Sequence, residues 1–460
     1  MINGSFRKYL EEAIGSDNAL VAFSAFESPA PSSIRCNPFK SGICPEGRPV
    51  TWNAYGRILP ERPVFTLDPH FHAGAYYVQD SSSMFVGHAF RELLGKIEIP
   101  AGRPVRVLDL CAAPGGKTTD IAASLREAFG DRFILVSNEV MKARAGVLAD
   151  NVALWGDPNV VVTSDDPSAF ASLPGYFDII VADVPCSGEG MFRKDEEAQK
   201  QWSEDNVALC EARQRRIVAD VWSALRQDGI FVYSTCTFNR YENDDNVGWI
   251  AQELGAEHIL PLSEAMEGVI DTVHGYSLVP GHVEGEGQYC AALRKTSEVD
   301  SLAAMTVNPA RGRREKPGKK SALPVPASLK SLFSVPVDLR QKGDMVIAVP
   351  LAIADDVAVA ESVLHVLAAG CAVGVMKGQT LVPDADLALS LAYRHDSYPV
   401  ADVDLQTALA FLHKDAILLP DCERGYVLIR YEGVPLGFVK NLGNRCNNLH
   451  PQGRRIRMDI

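Results

Sequence analysis

Two cysteines stand where a thiol could do chemistry. Cys186 closes the run FDIIVADVPCSG (177–188), and Cys236 closes DGIFVYSTCT (228–237). Each follows an apolar stretch that reads as a buried parallel strand, so each sulfur falls at a strand's carboxyl end, where open α/β sheets hold their ligands. Asp183 lies three residues before Cys186, and Pro185 between them biases Val184 to an extended conformation. One such cysteine is more often inert packing than chemistry. A pair at two strand tips, one beside an acid, is more than packing requires. A thiolate suits addition to a soft, poorly electrophilic ring carbon. A nearby carboxylate can accept an exocyclic amine and favour protonation of the adjacent ring nitrogen, which draws electrons from the carbon under attack; C6 of cytosine fits that description. From the residues alone, either thiol can be the nucleophile.

A third segment, LDLCAAPGGKTTD (108–120), joins an acid at a strand end to small residues, a Gly-Gly pair and a helix start. Backbone amides there can approach a ligand without interference from Cβ atoms. The string is neither GxGxxG nor a P-loop. Glu139 falls at the end of the next strand, where a carboxylate can accept both hydroxyls of a ribose.

The elements that must position these groups alternate in type. Val105–Leu110, Phe133–Val136, Val160–Thr163, Phe177–Val181 and Gly229–Ser234 read as strands. Thr118–Phe129, Ala143–Trp155, Asn206–Leu225 and Glu242–Leu254 read as helices between and after them. Such alternation predicts an α/β fold with a mostly parallel sheet. Before it, residues 1–100 open on a short helical pattern and become irregular. After it, Pro and basic residues mark a connector at 297–330. Residues 331–460 show helical patterns near Asp355–Ala369 and Ala385–Tyr393. Short strands follow at Ile417–Leu419, Tyr426–Tyr431 and Leu436–Lys440, which suggests a small barrel-like module.

Bulk properties narrow the class. No apolar run approaches a membrane span, and the first residues lack a signal-peptide pattern, so the cytoplasm is the expected compartment. Ten cysteines are scattered without zinc-ligand spacing, so neither a metal nor a disulfide framework is expected. A net charge of −13 argues against a nucleic-acid partner unless basic residues are gathered locally. RGRREKPGKK (311–320) is one such patch, and Lys440, Arg445, Arg454, Arg455 and Arg457 form another near the C-terminus.

At CAAPGGK (111–117), Glu139, Asp183, PCSG (185–188) and TCT (235–237), the chain resembles the Nop/Sun family of RNA cytosine-5 methyltransferases. GEGMFRKD (188–195) turns the likeness towards the bacterial 16S rRNA methyltransferase F (RsmF) type. It extends to SIRCNPFK (33–40), YYVQDSSSM (76–84), GEGQY (285–289) and GVPLGFVKNLGNRCNNLHP (433–451). The resemblance implies a Rossmann-like catalytic domain at 101–296, an N-terminal α/β, RNA-binding extension at 1–100, and a C-terminal RNA-binding region at 331–460 ending in a PUA-like module. It implies S-adenosyl-L-methionine as cofactor, held by Cys111, Ala112, Ala113, Pro114, Gly115, Gly116 and Lys117. Glu139 would take the ribose. Asp166, favoured over Asp165 by its spacing to Phe170, would take the adenine side. Asp183 would lie between cofactor and base, with Cys236 as nucleophile, Cys186 assisting product release and Lys117 supporting the site's electrostatics. The implied partner is RNA, small-subunit rRNA above all, with no membrane or metal, and the protein is expected to be a monomer. The alternatives are a tRNA cytosine-5 methyltransferase and a catalytically idle ribosome-assembly factor. An exocyclic-amine methyltransferase is disfavoured because its loop typically reads Asn/Asp-Pro-Pro-aromatic. Two departures stand out: Gln288 occupies a position where an aromatic is usual, and the C-terminal end is Arg-rich rather than tryptophan-containing.

Overall fold

A computed structural model describes residues 4–40, 44–259, 266–299 and 325–460. The basic run 311–320 and most of the expected connector lie outside these residues.

The centre is a ten-stranded sheet. Its parallel part runs Val160–Thr163, Phe133–Asn138, Val105–Asp109, Phe177–Asp183, Leu225–Thr235. Gln288–Lys295 adds antiparallel to Leu225–Thr235. Val/Ile-rich strands with both faces covered account for the continuous apolar runs: Phe133–Asn138 and Val160–Thr163 are buried at every position. One apolar cluster fills one face, with Ile121, Leu125 and Leu148 on Val107 and Leu135. A second fills the other, with Ile217, Val218 and Val221 on Ile180 and Phe231.

Strand order reverses between Val105–Asp109 and Phe177–Asp183, since the chain winds outward in opposite directions from these neighbours. The crevice above their carboxyl ends is therefore the topological switch point. It is here that the chain places the 111–117 loop and Asp183.

The helices match the sequence reading within a few residues, as Gly116–Phe129, Lys142–Trp155, Glu204–Val221 and Asp244–Glu253. The third is shorter than expected. Its last predicted turn becomes a 3-10 turn, Trp222–Ala224, and Leu225 opens the next strand, because Trp222 turns its indole N–H to the Leu254 carbonyl.

Outside this core the reading needs correction. The N-terminal segment is more ordered than its irregular pattern suggested. Two helices, Gly4–Ile14 and Ser16–Phe26, precede a four-stranded sheet of Arg48–Val50, Asn53–Leu59, Ser32–Cys36 and Tyr76–Val78. Cys36 and Cys44 are paired as a disulfide, Cα–Cα 5.9 Å, which scattered cysteines gave no reason to expect. The helix read at Asp355–Ala369 spans only Ala354–Val363. Its second half is a strand, Val366–Ala369, that pairs antiparallel with Val160–Thr163 and so covers an edge of the central sheet. The helix read to Tyr393 stops at Leu389, where Leu391 N–H turns to the Gly156 carbonyl. Ile417–Leu419 is irregular, with Ile417 and Leu419 buried and Leu418 exposed, and the Leu419 carbonyl accepts from the Asn441 side chain rather than from a strand. A four-stranded antiparallel sheet of Val337–Lys342, Met345–Pro350, Cys371–Lys377 and Thr380–Pro383 comes first, and the expected strands near the end form Gly425–Tyr431 and Val434–Asn441 in a third four-stranded sheet with Val400–Asp402 and Cys446–Asn448. No helix among the described residues is long and apolar enough to cross a membrane.

Candidate active site

The 111–117 loop leaves its strand at Asp109 and ends on the helix Gly116–Phe129. Gly115, the cap residue, sits at φ +113°, a conformation L side chains avoid, and a Cβ there would also meet Leu148 at 3.2 Å. A hub residue fixes the loop's neighbours. Asn138 donates to the carbonyls of Leu110 and Asp165, and its Oδ1 accepts from the Asp165 amide and the Thr163 hydroxyl. Three strand ends are thereby tied to one side chain. Beside it, Glu139 is buried; one oxygen accepts the Met141 N–H at 2.9 Å and the other lies 3.3 Å from Arg144.

The loop fits a nucleoside cofactor. Asp109 is fully buried, one carboxyl oxygen accepts from Thr118 at 2.6 Å, and the other has no partner. Burial pushes its pKa up to about 7. An orphaned oxygen at a strand end, a glycine cradle and a buried acid at the next strand end are the groups such a ligand would satisfy.

Across the crevice, Asp183 is held by three donors. Lys117 Nζ reaches Oδ2 at 2.9 Å, the Ser234 hydroxyl reaches Oδ1 at 2.7 Å, and Gln288 Nε2 approaches Oδ1 at 3.4 Å. Burial disfavours the Lys117 charge, but the Asp183 carboxylate outweighs it and raises the lysine pKa overall. Lys117 is therefore charged at neutral pH.

The two sulfurs meet. Cys186 Sγ and Cys236 Sγ lie 3.1 Å apart, although 50 residues separate them. The hydrogen bond to Cys236, reinforced by burial, pushes the Cys186 thiol well up. Cys186 thus holds its proton tightly, and either sulfur can be the donor in the contact between them. Burial also pushes Cys111 well up, which keeps it inert as a nucleophile.

Behind the sulfurs is a buried network absent from the sequence reading. Glu189 accepts from Trp202 Nε1 and from the amides of Phe238 and Asn239. Glu242 accepts from the Ser187 amide and Gln214, and Asn239 Nδ2 bridges both acids at 2.9 and 2.8 Å. Gly190 N–H also donates to the Cys236 carbonyl at 2.8 Å. The loops after the two cysteines are locked together. Burial, then the nearby Glu189 carboxylate, pushes Glu242 up to about 7.

The structure therefore gathers Lys117, Asp183, Cys186 and Cys236, with the 111–117 loop and Glu139 on the adjoining strands. Asp166 stands apart. It is exposed, caps a 3-10 turn through Ser168, and lies 3.6 Å from Arg216; the neighbouring Asp165 accepts the His365 amide. Asn138, Ser234, Glu189 and Glu242 escaped sequence reasoning, and only their closeness to motif residues could have flagged them. Of the C-terminal basic residues, Arg454 is not free: it pairs with Asp150 and Asp386 at 3.0 and 2.5 Å.

Comparison with known proteins covers most of the chain. Residues 102–294 match the family described as 16S rRNA methyltransferase RsmB/F, residues 2–81 the N-terminal domain of 16S rRNA methyltransferase RsmF, and residues 398–456 the methyltransferase RsmF PUA domain. The ribosomal RNA small subunit methyltransferase F of Enterobacter sp. (strain 638) is 30% identical over 97% of this chain and 94% of its own. Its namesake from Klebsiella pneumoniae (strain 342) is 37% identical over 61% of this chain; the match spans about three-fifths of that relative's length as well, 61%. Among solved structures, a methyltransferase homolog from Pyrococcus horikoshii superposes with TM-score 0.51 at 24% identity over 64% of this chain and all of its own. NSun6 from the same organism, solved with the ligand SFG, gives TM-score 0.51 at 18% identity over 64% of this chain and 99% of its own. These two likenesses concern the fold.

Proposed function

Because this chain belongs to the RsmB/F family of 16S rRNA methyltransferases, we propose that it methylates C5 of a cytosine in small-subunit rRNA, with Cys236 as nucleophile. The observation that carries this reading is the contact of the two sulfurs beside an acid–lysine pair at the switch point. The target base must leave its stack to be reached. Cys236 Sγ then forms a bond to C6, while Asp183 accepts the exocyclic amine and supports the proton at N3. When bound, S-adenosylmethionine supplies the methyl group that C5 accepts. Loss of the C5 proton to solvent returns its electron pair to the C5–C6 bond, the sulfur–C6 bond breaks with Cys236 leaving as thiolate, and the Cys186 thiol, its sulfur 3.1 Å from Cys236 Sγ, stabilises the departing sulfur.

Lys117 aims Asp183 through its 2.9 Å contact with Oδ2. Glu139 would hold the ribose, the 111–117 backbone would cradle the cofactor, and Asp166 would take the adenine side. The exposed Lys440, Arg445, Arg455 and Arg457 form the phosphate-facing patch that an acidic chain needs. The test is bisulfite sequencing of total RNA with and without the protein, paired with Cys236→Ala. A new protected cytosine in small-subunit rRNA that vanishes in Cys236→Ala, with cofactor binding intact, is the expected result. Protection in tRNA alone, or turnover retained in Cys236→Ala, overturns the reading.

A further inference from the structure

Gln288 occupies the start of the strand Gln288–Lys295 and is fully buried, although its neighbours there are apolar. The amide is spent on specific partners. Nε2 donates at 2.8 Å to the carbonyl of Thr235, the residue before Cys236, and lies 3.4 Å from Asp183 Oδ1 and from the Tyr289 carbonyl. All three are acceptors, so the NH₂ end must face them. Oε1 faces away and accepts the Ser83 hydroxyl at 3.1 Å.

The segment that carries this residue has little freedom. A Cβ on Gly287 would lie 2.5 Å from the Gly190 Cα, and one on Gly190 would lie 2.6 Å from the Gly287 Cα, so this strand start is pressed on the loop that follows Cys186. On its other side, a Cβ on Gly285 would strike the hydroxyls of Ser81 and Ser82. Glu286 N–H donates to Asp80 at 3.1 Å, and its carboxylate holds Arg193 at 3.0 Å. Gln288 is thus fixed between the Asp80–Ser83 turn and the two cysteine loops. An aromatic ring at this position would fill space but could not bridge three groups.

Building on the proposed reaction, we infer that Gln288, backed by Ser83, is a positioning residue that sets the Asp183 carboxylate and the turn into Cys236. Asp183 Oδ2 is committed to Lys117, so the rotation of its carboxylate is settled at Oδ1 by Ser234 and Gln288 together. The Thr235 carbonyl contact does the same for the backbone that aims Cys236. Through Ser83, a displacement of the N-terminal turn would reach the reacting groups by a single side chain.

The full chain carrying Gln288→Met, Ser83→Ala or both is assayed with isotopically labelled S-adenosylmethionine and 30S subunits, beside the rate at which iodoacetamide alkylates Cys236. Gln288→Met preserves length and removes every hydrogen bond. A loss of about tenfold in kcat is expected, the scale of one hydrogen bond to a charged group. KM for the cofactor stays unchanged, the melting temperature falls by only a few degrees, and Cys236 alkylates at a rate altered at least about threefold. Ser83→Ala gives a smaller loss, and the double variant is no slower than Gln288→Met alone, because both act through one bridge. Unchanged kcat and alkylation in Gln288→Met, or fully additive losses, overturn the inference. If the wild type transfers no methyl group, the proposed function fails, and the Cys236 alkylation rates still decide the role of Gln288.

Discussion

Replacing Arg35 should cost more than any other single change in the N-terminal sheet. Its guanidinium is buried, 1% exposed, on the strand Ser32–Cys36. It donates to Gln79 Oε1 at 2.9 Å, the Gly116 carbonyl at 3.0 Å and the Thr119 hydroxyl at 2.6 Å, lies 3.7 Å from Asp120, and stacks 4.7 Å over Trp155. Arg35→Met keeps the stem and removes the head. Thr119 retains its bond to the Gly115 carbonyl, and Asp120 keeps Arg91 at 3.0 Å and Asn53 at 3.1 Å, so those two are only partly stranded. Gln79 Oε1 loses its guanidinium partner, at about 1–3 kcal/mol for an unsatisfied buried acceptor. The weakened charge on Asp120 and the lost stacking on Trp155 bring the total to about 3–5 kcal/mol, the range for a broken buried ion pair. For a cooperative unit of this size that is a drop of order 10 °C in Tm. Since the Gly116 carbonyl belongs to the cofactor loop, S-adenosylmethionine affinity should fall as well. Differential scanning fluorimetry with and without the cofactor reads both. A variant that melts within about 2 °C of wild type and binds cofactor normally refutes the reasoning.

Three further outcomes follow from the site and its supports. Cys186→Ala removes the thiol 3.1 Å from Cys236 and should trap a covalent protein–RNA adduct that migrates slowly in denaturing gels; its absence, with normal turnover, counts against a release role. Asp109 and Glu242 are both raised to about 7 in the fold, so the native state retains protons that the unfolded chain releases from about pH 4 upward. Stability should therefore decline as pH rises from about 4 to about 7 and level off above that, by on the order of 3 kcal/mol per fully buried group. Thermal melts across that range should show Asp109→Asn flattening the slope, and an unchanged slope would reject Asp109 as its source. Arg454→Ala removes the pair that ties helix Lys142–Trp155 to Asp386, so amide exchange over Ala385–Leu389 should quicken while cofactor affinity stays constant; unaltered exchange there would make the pairing ornamental.

The parts of this molecule that were legible in its sequence are those in which one signal is enough. Continuous apolar runs such as Phe133–Val136 satisfy burial on both faces as central parallel strands, and strand tips then fix where Asp183, Cys186 and Cys236 must lie. The meeting of the two sulfurs needed more than placement. It depends on Glu189, Asn239 and Glu242 binding two loops 50 residues apart, and nothing in the spacing of those polar residues marks them as buried partners. The same reason hid Val366–Ala369. Its pattern is compatible with a helix, and only the exposed edge of Val160–Thr163, a feature of the assembled sheet, makes a strand the better solution. Arg454 shows the converse error, where a basic residue in a basic stretch reads as a phosphate contact until Asp150 and Asp386 claim it. Motif residues report chemistry that a single strand end can present. What holds those ends at bonding distance is long-range polar pairing, and a departure such as Gln288 in an aromatic's place acquires meaning only once Thr235, Asp183 and Ser83 are seen around it.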